Sequence, residues 1–258
     1  MHYEIHGNPE APQTVVLCSG LGGAAGYWAP HLTALGKTHR VISYDQRGTG
    51  RSPAALAEGY SIADMADELL TLLDSLAVTH CALVGHALGG LVGLQIALHR
   101  PALLDRLVLI NAWAAPNAHS ARCFDTRIQL LKHCGAAAYV AAQPLFLYPP
   151  TWIVANGERL EADLAHALAH FPGTANTLLR IAALRAFDIS AQLSEISVPT
   201  LVMASRDDSL VPWTQSVQLA EGLANAELDV RDFGGHACNL TEQTDFETRL
   251  LAFLQPPV

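Results

Sequence analysis

Six residues, Gly85-His86-Ala87-Leu88-Gly89-Gly90, constrain this chain more than any others. They follow at once on Cys81-Ala82-Leu83-Val84, which reads as a buried strand. They open a stretch that reads as a helix to about His99, where Pro101 stops it. A strand that passes into a helix without a loop needs a sharp turn, centred here on residue 87. The residues two before and two after such a turn must be small, as Gly85 and Gly89 are, and Gly90 adds clearance. The turn aims its central side chain outward and points the helix N-terminus at any developing negative charge. The aimed side chain is the methyl group of Ala87.

Strand and helix signals alternate along the rest of the chain. Thr14-Val15-Val16-Leu17-Cys18 reads as a buried strand that stops at the loop Ser19-Gly20-Leu21-Gly22-Gly23. Arg40-Val41-Ile42-Ser43-Tyr44 reads as a second strand, ending in the turn Asp45-Gln46-Arg47-Gly48-Thr49-Gly50. Ser61 to Leu76 reads as a helix, with Ser61 as cap, Asp64 in the capping-box position and Met65, Leu69 and Leu72 on its apolar face. After a strand over Arg106 to Ile110, strand signals vanish from about Trp113 to Ser190. They resume at Thr200-Leu201-Val202-Met203-Ala204 and near Glu227 to Phe233, and a helix over Thr244 to Phe253 follows. The expected fold is α/β, with a mostly parallel central sheet flanked by helices. Residues 1–112 and 191–258 would form this core, and 113–190 an inserted helical cap over the strand ends, where open α/β sheets place their sites.

Half of the 258 residues are hydrophobic, enough for one sizeable core, and the net charge is −9 with no basic run. Nucleic acid and anionic membranes are therefore disfavoured as partners, and a small-molecule substrate is expected. The opening residues carry no basic or apolar leader, no apolar run has the length of a membrane span, and a cytoplasmic location is the expectation. The five cysteines lie at long, irregular spacings, which speaks against a disulfide frame or a zinc knuckle. His166 and His170 stand four apart on an expected helix, a spacing that can hold zinc. Without the glutamate of H-E-x-x-H or an evident third ligand, they read as a solvated face. No cofactor and no metal are expected.

Taken together, these features resemble the α/β-hydrolase superfamily over nearly the whole chain. Ser19-Gly20-Leu21-Gly22 is similar to that family's oxyanion loop, Asp45 to Gly50 to its D-x-R-G-x-G turn, and Gly85 to Gly89 to its nucleophile elbow. Ser205-Arg206-Asp207-Asp208 is similar to its acid loop and Gly234-Gly235-His236 to its late histidine, all in the family's order. The alanine elbow, Gln143-Pro144-Leu145-Phe146-Leu147-Tyr148-Pro149 and Gly234-Gly235-His236-Ala237-Cys238-Asn239 further resemble the hydrolases of the Rut pyrimidine-utilisation pathway, which opens the uracil ring. That resemblance implies a small nitrogenous substrate, carbamate or 3-aminoacrylate, hydrolysed with release of ammonia. It is compatible with a monomer or a homodimer.

The resemblance also implies roles. His236 is the base and Asp208, fourth in the acid loop, orients it, although Ser205 stands where that loop usually has glycine. Asp207 shapes the loop, and the backbone N–H groups of Leu21 and Leu88 form the oxyanion hole. A serine triad needs a hydroxyl, and Ala87 has none, so the expectation is direct attack by a water that His236 deprotonates. General base catalysis contributes about 10² to 10⁴ in rate and one oxyanion donor about 10² to 10³. Such gains suit a labile carbamate or enamine and fall short for a stable ester or peptide.

Asn111 and Trp113, after a strand end facing the cleft, are candidates to bind substrate, with plain packing equally open. Tyr148 and Trp152 lean towards cap–core packing, His86 towards packing under the site, and Asp45 and Arg47 towards bracing their turn. Cys238 reads as a small buried residue. A substrate carboxylate would want a cation, for which Arg185 and Arg206 come into question. Two other readings of Ala87 stay open: a serine replaced by design, and a non-catalytic ligand-binding or scaffold protein on a degenerate hydrolase fold. A cavity filled by side chains beside Ala87 would favour the scaffold.

Overall fold

Short runs such as TVVLC and LDRLVLI have both strand faces apolar, and such runs are stable only where helices cover both sides of a sheet. The computed structural model, which describes residues 1–255, places seven strands in one sheet. They are β1 (Tyr3–Gly7), β2 (Thr14–Cys18), β3 (Arg40–Tyr44), β4 (Cys81–His86), β5 (Leu104–Ile110), β6 (Thr200–Ser205) and β7 (Ala226–Arg231), in the order β1-β3-β2-β4-β5-β6-β7. All neighbours are parallel except β1, which pairs antiparallel with β3 through Ile5 opposite Ile42. No strand is expected at β1 from the sequence alone. Its alternation of exposed and half-buried residues belongs to an edge strand, where the apolar signal is weak.

The helices are α1 (Leu32–Leu35), α2 (Ile62–Ser75), α3 (Leu88–His99), α4 (Ala118–Gln129), α5 (Gly135–Leu147), α6 (Pro150–Ala155), α7 (Gly157–Ala169), α8 (Thr174–Ala186), α9 (Thr214–Gly222), α10 (Cys238–Thr241) and α11 (Gln243–Leu254). The five from α4 to α8 all fall between β5 and β6. The helix at Ser61 forms as its sequence requires: Ser61 Oγ accepts from the Asp64 amide at 3.2 Å and Asp64 Oδ2 accepts from the Ser61 amide at 2.8 Å. A cap of this kind stabilises a helix by about 1 kcal/mol.

Strand periodicity divides the core in two. Val15 and Leu17, Val84, Val108 and Ile110, and Leu201 and Met203 face Phe246, Leu250 and Phe253 of α11. Their neighbours Val16, Leu83, Leu107, Leu109 and Val202 belong to the opposite cluster, with α2, α3 and α9. α3 is buried almost all round, and a Cβ at its Gly93 would come within 2.8 Å of the side chains of Leu83 and Leu107. This close fit of α3 on the sheet fixes where the turn at residue 87 points.

Candidate active site

The elbow has the geometry its glycines imply. Ala87 sits at φ 48°, ψ −111°, a left-handed conformation that costs a non-glycine residue about 1–3 kcal/mol. Its amide donates to the Ile110 carbonyl at 2.8 Å, and its carbonyl accepts from Gly90 and Leu91 in the first turn of α3. A Cβ at Gly85 would stand 2.4 Å from the Gly89 backbone, and one at Gly89 would stand 2.0 Å from the Cys18 carbonyl oxygen. The small residues are thus required by backbone, which cannot yield.

Two more loops converge on this turn. His236 Nδ1 and Asp208 Oδ2 are 2.8 Å apart, with both side chains buried. The other carboxylate oxygen of Asp208 accepts from the amides of Leu210 and Val211 at 2.7 and 2.9 Å, so the carboxylate is held on both sides. With the carboxylate as acceptor, Nδ1 carries the proton, and Nε2 has no hydrogen-bond partner among the described residues. Asp207 shapes the loop, accepting from the amides of Gly235 at 2.8 Å and Gly234 at 3.3 Å. The amides of Leu21 and Leu88 are bonded to no other group among the described residues, and both residues line the same cavity as Ala87 and His236. That cavity holds about 400 Å³ and is walled mainly by apolar side chains.

His86 does pack under the site. As a donor to a carbonyl, its Nε2–H bonds the His236 backbone oxygen at 2.8 Å, and its ring stacks on Tyr27 with centroids 4.9 Å apart. Burial, reinforced by the neighbouring His236, pushes its pKa down to about 3, so it stays neutral and holds the loop. Cys238 is buried and its thiol is pushed up to about 11 by burial, which leaves it unreactive.

Several expected placements change. Asn111 does not line the cavity: at φ 49° its amide turns back to donate to the His236 carbonyl at 2.6 Å, bracing the histidine loop from below. Trp113 does line it, as does Tyr148, whose ring stacks at 4.4 Å on Trp152. Asp45 braces its turn by accepting from Ala25 and Arg51, but the partner is Arg51, because Arg47 lies outside and reaches Glu68. Arg185 and Arg206 are surface residues paired with Asp125 and Asp232. His166 and His170 lie at the cavity rim with their rings 4.1 Å apart, and among the described residues no group of three metal-binding side chains forms.

Among the described residues, the buried arginines are Arg127 and Arg180, neither of which the sequence alone singles out. Arg180, on α8, is fully buried. Its Nε donates to the Leu21 carbonyl at 3.0 Å, and its Nη2 reaches the Gly20 carbonyl at 3.5 Å and the side chain of Gln46. Gln46 in turn donates to the Ser19 carbonyl at 2.8 Å. The helical segment thereby holds the loop that presents the Leu21 amide. Arg127, on α4, lies in the cavity wall itself. Both stand on the apolar stripes of their helices, Arg127 with Ser120, Cys123 and Phe124, and Arg180 with Thr177, Ile181 and Leu184. An arginine on such a stripe is the signal that could have found them.

The family model described as serine aminopeptidase, S33, matches residues 9–241. A protein of Variovorax paradoxus named "Putative carbamate hydrolase RutD" is 58% identical over 98% of this chain and 96% of its own length. One of the same name from Stutzerimonas stutzeri is 59% identical over 98% and 96%. Among solved structures, a hydrolase from Pseudomonas aeruginosa superposes with a TM-score of 0.87 at 31% identity, covering 98% of this chain and 94% of its own. The enol-lactonase of Burkholderia xenovorans does so with a TM-score of 0.86 at 27% identity, covering 98% and 95%.

Proposed function

The chain belongs to the α/β-hydrolase family that it shares with these relatives, and from that premise we propose that it hydrolyses the C–N bond of a small, labile substrate of pyrimidine nitrogen catabolism, carbamate or 3-aminoacrylate, with release of ammonia. The observation that carries this reading is the open cavity beside the Ala87 methyl, onto which His236 Nε2 and the free amides of Leu21 and Leu88 converge. Side chains do not fill the space, so the scaffold reading gains nothing from it. Residues 113–190 serve as the cap of this site, on a core of 1–112 and 191–255; the expected core end at 258 lies outside the described residues.

With no side-chain hydroxyl at residue 87, water is the nucleophile. His236 takes a proton as the water oxygen bonds to the electrophilic carbon, and Asp208 stabilises the imidazolium. The Leu21 and Leu88 amides stabilise the charge that develops on carbamate. The proton then passes to nitrogen, the C–N bond breaks and ammonia leaves. Carbamate gives bicarbonate. 3-Aminoacrylate, attacked at C3 as its imine tautomer, first gives a carbinolamine; its hydroxyl proton then passes through His236 to nitrogen, the C–N bond breaks, and ammonia and 3-oxopropanoate are released.

Ammonia release measured with and without the protein tests the reading, with His236→Ala as the second arm. The expected result is acceleration by the protein and a fall of about 10² to 10⁴ in the variant. A substrate adduct trapped on any side chain would contradict the water mechanism. Equal release with and without the protein would remove the catalytic role.

A further inference from the structure

We infer that Arg127 forms an anion subsite in the roof of the cavity, where it takes the carboxylate of a small organic acid while the reacting carbon lies on the floor at Ala87. The inference deepens the proposed function, on which it rests, by naming the substrate class as a carboxylate whose charge is separate from its reacting carbon.

Arg127 is only 4% exposed and lines the cavity. Its Nη2 donates to Tyr139 Oη at 3.2 Å and to Gln143 Oε1. Nε is sealed without a partner, and Nη1 is neither bonded within the chain nor sealed. The guanidinium is stacked among the rings of Phe124, Tyr139 and Phe146, its carbon 5.6–5.7 Å from each centroid. No carboxylate pairs with it among the described residues, whereas the surface arginines 51, 100, 185 and 249 all have one.

An arginine cannot shed its charge as a buried lysine can. The aromatic faces return only part of what burying the charge costs. The site therefore holds a fixed, oriented, uncompensated positive charge against an apolar cavity, the arrangement that favours an anion from solvent. Arg180 differs, since three oxygens of the oxyanion loop and Gln46 use its charge and it does not line the cavity.

A cavity of about 400 Å³ has room for a chain of several atoms between roof and floor. An acid such as 3-aminoacrylate holds its carboxylate apart from its reacting carbon, so the one can face Arg127 while the other is turned towards Ala87. Carbamate carries its charge on the carbon that reacts and cannot occupy both.

The test titrates the full chain with 3,3,3-trifluoropropionate and, separately, with 3,3,3-trifluoropropionamide, followed by ¹⁹F line broadening. The expected result is binding of the acid at least tenfold tighter than the amide, lost at least tenfold in Arg127→Met while the amide is unmoved. Equal binding of acid and amide by the parent chain overturns the inference, and that comparison needs no variant to fold. Acid binding unchanged in a folded Arg127→Met chain overturns it too. In turnover, Arg127→Met should raise KM and leave kcat within a few-fold. If the parent chain binds the acid through Arg127 yet releases no ammonia, the proposed function fails and the anion subsite stands.

Discussion

At Ala87 the backbone adopts φ 48°, ψ −111° whether or not a reacting atom is attached, because packing of Gly85 against Gly89 and of Gly89 against Cys18 imposes it. Serine accepts this conformation as readily as alanine does. Ala87→Ser should therefore fold and place a hydroxyl beside His236. We expect the variant to gain one fluorophosphonate adduct by intact-mass measurement while the parent chain gains none, and its ammonia release to fall because the hydroxyl occupies the water's place. An unlabelled variant would show that His236 does not address residue 87. The residues of this site differ in how far the sequence exposed them. His236, Asp208 and Ala87 stand in glycine-marked loops whose local chemistry announces them. Arg127 and Arg180 were passed over because an arginine in a helix reads as solvated until its neighbours at positions 124 and 131, or 177 and 184, are seen to be buried. Asn111 was misplaced because its positive φ turns the side chain away from the cleft and under the histidine loop.

Among the elements, the β4–α3 unit carries the tightest steric demand. Gly89→Ala would drive a Cβ to 2.0 Å from a backbone oxygen, whereas a Cβ at Gly26 meets nothing within 4 Å. We expect Gly89→Ala to lose about 3 kcal/mol or more of stability and Gly26→Ala to stay within about 0.5 kcal/mol, read from urea unfolding. Comparable losses would mean that the elbow can relax. The elements that the sequence showed clearly are those with both local and long-range support: α2 with its cap, and β2, β4 and β5 with two apolar faces. β1 escaped because an edge strand gains its order from pairing with β3, and its short alternation leaves Tyr3 and Ile5 exposed, so no buried apolar face marks it. β7 ends at Arg231, earlier than its apolar pattern suggested, since Phe233 turns out 41% exposed in the loop that leads to Gly234.

Over the whole molecule, catalysis depends on contacts between distant segments. Arg180 joins α8 to the oxyanion loop and to Gln46, 134 residues away. Lysine cannot reproduce its planar fork, so Arg180→Lys should lower both the melting temperature and kcat for ammonia release, with KM nearly unchanged. A change in KM alone would place Arg180 in substrate binding instead. Stability should also follow the buried histidines. His86 has a pKa of about 3 in the fold against an ordinary 6.5, and burial lowers those of His31 and His39 in the same direction. Above pH 6.5 both folded and unfolded chains hold His86 neutral and its contribution is complete. As pH falls from 6.5 towards 3 the unfolded chain binds a proton that the folded chain refuses, and about 1.4 kcal/mol is lost per pH unit. His86→Gln, which keeps a donor for the His236 carbonyl, should make the slope of unfolding free energy between pH 6 and 5 shallower by about one proton. An unchanged slope would show that His86 titrates normally. The order of strands and helices, the two-faced sheet and the turn at residue 87 were determined by the sequence itself, because periodicity and glycine act within a few residues. Which charges reach the cavity was decided only by tertiary structure. The apolar stripes around Arg127 and Arg180 mark them as buried, but which cavity or loop each reaches depends on segments that the chain brings together from far apart.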